Sequence, residues 1–159
     1  MEEGVLRSLP TRAVLVAASA DGPFRLVAFD NALRKAGIAE LNLMKVSSIL
    51  PKDCEILDEM PNLEPGTIVP VVMSEIVSST PGQRIAAALG IAIGEDSHGM
   101  ISEYHDIGVT ERTAAKTAEA MVKYMMENRG LTPKKVLSIS AGHTVKHHGA
   151  AIAAAVLLP

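Results

Sequence analysis

The sequence predicts an α+β fold, a sandwich of mainly antiparallel β-sheets flanked by helices in an αββα-like arrangement. Three observations carry that prediction. Strand-like runs outnumber helical ones, and each of the two helical runs has an apolar stripe to bury against a sheet. Turn signals also punctuate the chain at short intervals, with "DGP" at 21–23, "EPG" at 64–66 and "TPGQ" at 80–83, and no repeat or linker interrupts them. A length of 159 residues is enough for one domain, 1–159, with a real core.

Taken in order, "AVLVAAS" (13–19) is a strand by its apolar and β-branched content. After Pro23, Leu26, Phe29, Leu33 and Ala36 recur at helical spacing, and Gly37 stands where a helix C-cap glycine belongs. "LNLMKV" (41–46) and "TIVPVVMSEIV" (67–77) read as strands, with Pro70 marking the second as an edge or a bulge. "QRIAAALGIAIG" (83–94) fits either a helix or a strand. The clearest helix starts at the N-cap Thr110 and runs to about Asn128, with Ala114, Ala118, Met121, Val122 and Met125 on one face and Gly130 beyond. "KKVLSISA" (134–141) and "GAAIAAAVLL" (149–158) close the chain as strands.

Composition removes several functional classes. Aromatic residues make up 3% of the chain, there is no Trp, and the net charge is -3, so neither stacking platforms nor a basic surface for nucleic acid are expected. The first residues, "MEEGVLRSLP", are acidic where a signal peptide would be basic, and the apolar run at 149–158 is too short for a bilayer. The expectation is a soluble cytoplasmic protein with no membrane partner. The single cysteine, Cys54, has no internal partner for a disulfide.

Motifs for familiar chemistries are weak. "HTVKHH" places His143 and His147 at the i, i+4 spacing of a helical zinc site, but without an adjacent glutamate and between two strand-like runs, so no metal is expected. No serine lies in a GxSxG elbow, and "GIAIGEDSHG" fits no nucleotide-binding loop. What stands out is "LMKVSSILP" (43–51), an apolar run broken by Ser47-Ser48. The ordinary reading is a pair of hydroxyls bonded to nearby backbone. A second pair, Ser78-Ser79, leads into a Pro-Gly turn, where serines serve as turn and capping groups.

The segments "AFDNALRKAGI", "LNLMKVSSILP", "GTIVPVV", "ISEYH" and "HTV…GAAIAAA", in this order from about residue 10 to the end, resemble the archaeal and bacterial pyruvoyl-dependent arginine decarboxylases. The resemblance implies a precursor that cuts itself between Ser47 and Ser48 into a β chain (1–47) and an α chain (48–159). Ser48 would become the pyruvoyl cofactor, without metal or pyridoxal phosphate, in a homotrimer or a multiple of three. It implies an enzyme that forms a Schiff base between that ketone and the α-amine of arginine and releases agmatine and carbon dioxide, the entry to polyamine synthesis.

The same resemblance assigns residues. Asn42 falls on the family's asparagine for processing; its other reading is a strand-end cap. Glu103 matches the acid that returns a proton to the carbanion, and it must then hold that proton near neutral pH in the apolar company of Met100 and Ile101. Asp30 matches the guanidinium-binding aspartate, a carboxylate suited to arginine's planar cation. Leu26 and Leu41 are expected to line the same pocket. Two alternatives stay open: the same chemistry on another amino acid, and an uncleaved binding homologue.

Overall fold

The structure, a computed structural model, describes residues 9–159. Among them the order is β1 (Arg12–Gly22), α1 (Arg25–Ala36), β2 (Asn42–Lys45), β3 (Ile49–Leu50), β4 (Glu55–Leu57), β5 (Ile68–Ser78), β6 (Arg84–Gly94), β7 (Gly99–Ile107), α2 (Glu111–Glu127), β8 (Pro133–Thr144) and β9 (His148–Leu158). One sheet runs β2-β5-β9-β1-β4 and the other β3-β7-β6-β8. The β1–β4 and β2–β5 ladders are parallel and the remainder antiparallel, as the predicted α+β sandwich requires.

Four layers follow from two-residue alternation. On β9, Ala150, Ile152, Ala154 and Val156 pack towards α1, while Ala151, Ala153, Ala155 and Leu157 face the second sheet. On β6, Ile85, Ala87, Leu89 and Ile91 face the first sheet, while Ala86, Ala88 and Ala92 lie under α2. Strands covered on both faces read as continuous apolar runs, and this resolves the ambiguous 83–94 segment as the strand β6. Small residues set the spacing. A Cβ on Gly90 would lie 2.2 Å from the Ala118 carbonyl oxygen, so α2 touches the sheet there.

The caps agree with the sequence. Thr110 Oγ1 accepts a hydrogen bond from the Thr113 N–H at 3.1 Å, and Gly37 ends α1 at φ 80° with its N–H on the Arg34 carbonyl.

Three expectations shift. The buried face of α1 is centred on Ala28 and Ala32, with Phe29 and Leu33 beside it, and Leu26 is 75% exposed. Close approach accompanies this small-residue face, because a Cβ on Gly22 would meet the Ala28 nitrogen at 2.6 Å, so the backbone of α1 touches the end of β1 there. On α2 the buried methionine is Met126, whereas Met121 stays exposed and Met125 is half-buried. Pro70 lies in an interior strand, not at an edge. It is tolerated because β9 begins to pair with β5 only at Val71.

Candidate active site

The run "LMKVSSILP" is two strands that belong to different sheets. β2 pairs with β5, and its ladder ends where the Val46 N–H donates to the Val71 carbonyl at 2.9 Å. Two residues later the Ser48 carbonyl accepts from the Ile101 N–H at 2.8 Å, and Ile49 and Leu50 pair with Met100 and Gly99 of β7. Ser47-Ser48 is therefore the crossing from sheet to sheet, held by a backbone hydrogen bond on each side. Buried Leu50 and Pro51 anchor the far end. Ser47 is exposed and Ser48 half-buried, and neither hydroxyl makes a hydrogen bond with another described residue. The ordinary reading of this pair, hydroxyls bonded to backbone, does not describe it.

Glu103 lies two residues along β7 from Ile101, the residue that holds Ser48. It is largely exposed in the single chain. Partial burial nonetheless pushes its carboxyl above the ordinary carboxylate value. Lys45, the Met73 N–H and His105 pull the other way, and Glu75 adds to the rise. Lys45 and Glu75 form an ion pair between β2 and β5.

A cavity of about 270 Å³ opens beside this cluster on the α1 side of the sheet. Phe29, Leu33, Leu41 and Leu43 provide its apolar wall, with Met73, Lys45 and Glu75 completing it. Leu41 lines this cavity. Asp30 is exposed on α1, next to Phe29, and makes no hydrogen bond or ion pair among the described residues. Leu26 lies one helical turn before Asp30, on the same outward row and outside the cavity.

Asn42 is not brought to the serines within one chain. Its Nδ2 donates to the Gly66 carbonyl at 2.9 Å, bridging the starts of two neighbouring strands. The "HTVKHH" segment forms the turn between β8 and β9, not a helix. His143 Nε2 pairs there with Asp21 at 3.0 Å, and the same carboxylate accepts the N–H groups of Lys146 and His147. Burial raises the Asp21 carboxyl, but the hydrogen bonds from His143, Lys146 and His147 outweigh it and hold the group at about 2. A second hollow, of about 280 Å³ near Thr110 and Glu111, lies away from the serine crossing.

Sequence reasoning missed Lys45, Glu75 and Met73. The available signal was a charge inside an apolar strand, Glu75 in "VVMSEIV", matched by a cation just before the serine pair.

Comparison with known proteins identifies the family. A sequence model of the family described as pyruvoyl-dependent arginine decarboxylase matches residues 12–159. Proteins of that name are similar over nearly their whole length. That of Methanothermobacter thermautotrophicus is 42% identical over 147 residues, covering 92% of this chain and 96% of the relative. That of Thermococcus sibiricus is 44% identical, covering 94% and 96%. That of Methanocaldococcus jannaschii is 41% identical, covering 94% and 90%. A half-buried serine whose hydroxyl has no partner among the described residues, a glutamate with a raised pKa two residues from that serine's backbone partner, and an apolar cavity lined in part by Lys45 occur in a chain that belongs to the pyruvoyl-dependent arginine decarboxylase family.

Proposed function

We propose that this chain cuts itself between Ser47 and Ser48, carries its pyruvoyl group at position 48, and decarboxylates L-arginine to agmatine. The observation that carries the reading is the Ser48 hydroxyl, which has no partner among the described residues and stands at a sheet crossing tethered by backbone hydrogen bonds on both sides. In processing, the Ser48 hydroxyl oxygen attacks the Ser47 carbonyl carbon, and the C–N bond breaks as the ester C–O bond forms. The hydroxyl proton passes to the freed amine. Elimination across Cα and Cβ of Ser48 releases the Ser47 carboxylate, and water then replaces the nitrogen, which leaves as ammonia. The backbone bonds at Val46 and Ser48 confine the segment in which the scissile amide must lose planarity. Asn42 is the family match for a group assisting this step.

The site fits the group that the family name implies, because position 48 is a half-buried serine whose hydroxyl makes no hydrogen bond with another described residue, and a cavity lined in part by Lys45 opens three residues before it. A pyruvoyl group there supplies an electron sink for the carbon–carbon bond that breaks. Phe29, Leu33 and Leu41 pack against the methylene chain of the substrate, and Asp30 pairs with its guanidinium. Glu103 holds the proton that the substrate's α-carbon receives. Its upward shift is in the direction this role needs.

Leu26, Asp30, Ser47 and Glu103 are all exposed in one chain, and this supports a homotrimer, or a multiple of three, in which a neighbour covers them and completes the site. Light scattering should return a multiple of three chains. No described helix is long and apolar enough to cross a membrane. A free amino acid as substrate and a single, buried thiol at Cys54 favour the cytoplasm as its compartment.

Mass spectrometry of the denatured protein, together with an assay of agmatine from arginine, tests the proposal. Self-processing adds about 1 Da in total to the summed fragments, whereas a protease adds roughly 18 Da. One intact chain with no agmatine formed would end it.

A further inference from the structure

Lys45 carries one positive charge that pairs with Glu75 and acts on Glu103. In the parallel β2–β5 register Lys45 lies opposite Val71, and Glu75 is four residues further along β5, roughly 13 Å of strand. The ion pair therefore needs both side chains to reach along the sheet, over the place where the chain leaves β2 for the serine crossing. Their side chains are 54% and 33% exposed, and an outstretched, half-solvated pair of this kind adds little to stability. Its consequence lies with what else is in reach. Glu103 comes from β7 of the other sheet, where the Ser74 hydroxyl of β5 donates to the Tyr104 carbonyl at 2.8 Å and so brings the neighbours of Glu75 and Glu103 together. Lys45 favours the ionised form of Glu103, and Glu75 opposes it. His105, on the same strand, is a further attraction, and the Met73 N–H of β5 is the backbone donor on this side.

We propose that Glu75 is a positioning residue: by holding the Lys45 ammonium, it keeps that cation from pairing with Glu103 and leaves Glu103 its proton. The inference rests on Glu103 as the proton donor but concerns a different residue. It predicts opposite effects from the two halves of the pair. Glu75→Gln frees Lys45 to pair with Glu103, whose pKa falls. An acid that must be protonated then loses activity at lower pH, so the basic limb of kcat moves down by about half to one pH unit. Lys45→Gln removes the attraction and moves the limb up. The double variant lies between them.

The test uses the assembled enzyme, with kcat normalised to pyruvoyl content and followed from about pH 5 to 9. In parallel, the Glu103 carboxyl is titrated by carbon-13 NMR, which is readable on cut or uncut chain. Opposite displacements of the Glu103 titration in the two single variants support the proposal. If the titration moves but the kcat limb does not, the positioning holds and the donor is another group. An unmoved titration in both variants overturns the proposal, as does a Lys45→Gln variant with raised KM and an unmoved limb, which would make Lys45 a ligand of the substrate carboxylate.

Discussion

Ser78-Ser79 closes β5 and Ser47-Ser48 follows β2, so one dipeptide occurs twice beside neighbouring strands of the same sheet. At the end of β5 every hydroxyl is engaged. Ser78 donates to the Gln83 side chain and accepts from the Thr80 N–H at 3.2 Å, and Ser79 accepts from Arg25 at 2.8 Å and pairs with His148 Nδ1 at 2.9 Å. A hydroxyl committed in that way orders a turn and is withheld from chemistry. At the crossing the backbone is tethered and the hydroxyls are not. On the function proposed above, the difference teaches that a reactive serine is one whose bonding capacity has been left unspent while the main chain does the holding.

The largest test of that contrast is Ser48→Ala. This variant should remain one folded chain of 159 residues with no detectable decarboxylation, whereas Ser79→Ala should cut as the wild type does. A denaturing gel reads both, and a cut Ser48→Ala chain would remove the distinction between the pairs. Next in size is Glu103→Gln, which should process normally yet lose about 10²- to 10⁴-fold in kcat because an amide has no proton to give. Survival of kcat within about threefold would assign the step to another acid.

Asp30→Asn should likewise leave cleavage intact. Without its anionic partner the guanidinium binds less well, and kcat/KM should fall about 30-fold to several-thousand-fold. Steady-state kinetics with arginine decides it. A smaller effect is expected at the engaged pair, where Ser78→Ala should cost about 1 to 3 kcal/mol in urea denaturation, since Gln83 and Thr80 lose a partner, with no change in processing.

The smallest concerns Asp21, which clasps the β8–β9 turn. Its folded-state value of about 2 lies below the ordinary 3.8. A depressed carboxylate contributes stability that is present above its unfolded value and is lost as pH falls through its folded one. Wild type and Asp21→Asn should therefore differ in denaturation midpoint near neutral pH and converge as pH drops from about 4 towards 2. Parallel curves throughout that window would mean that the clasp does not depend on charge.

Much of the architecture was legible in the residues themselves. Thr110 and Gly37 announced the ends of helices, apolar spacing announced the helices, and β-branched runs announced most of the strands. These signals lie within a few positions of one another, and local backbone preference carries them. The serine pair, Glu103 and the resemblance that gave them roles were equally local. The stretch from Glu95 to Ile107 was harder to read, because its strand, β7, takes its place by pairing with β6 and β3 and not by its own composition.

What the sequence by itself determined is the two helices, most of the strands and the residues to which the family resemblance assigns roles. Only the tertiary structure decided that residues 43–51 divide between two sheets, that Ser48 is held by Ile101, that alanines and not Leu26 face the sheet from α1, and that Lys45 pairs with Glu75 within reach of Glu103. Sheet membership depends on hydrogen bonds to strands far along the chain, and the state of a carboxyl depends on charges brought near it through space, so no local window of sequence contains either.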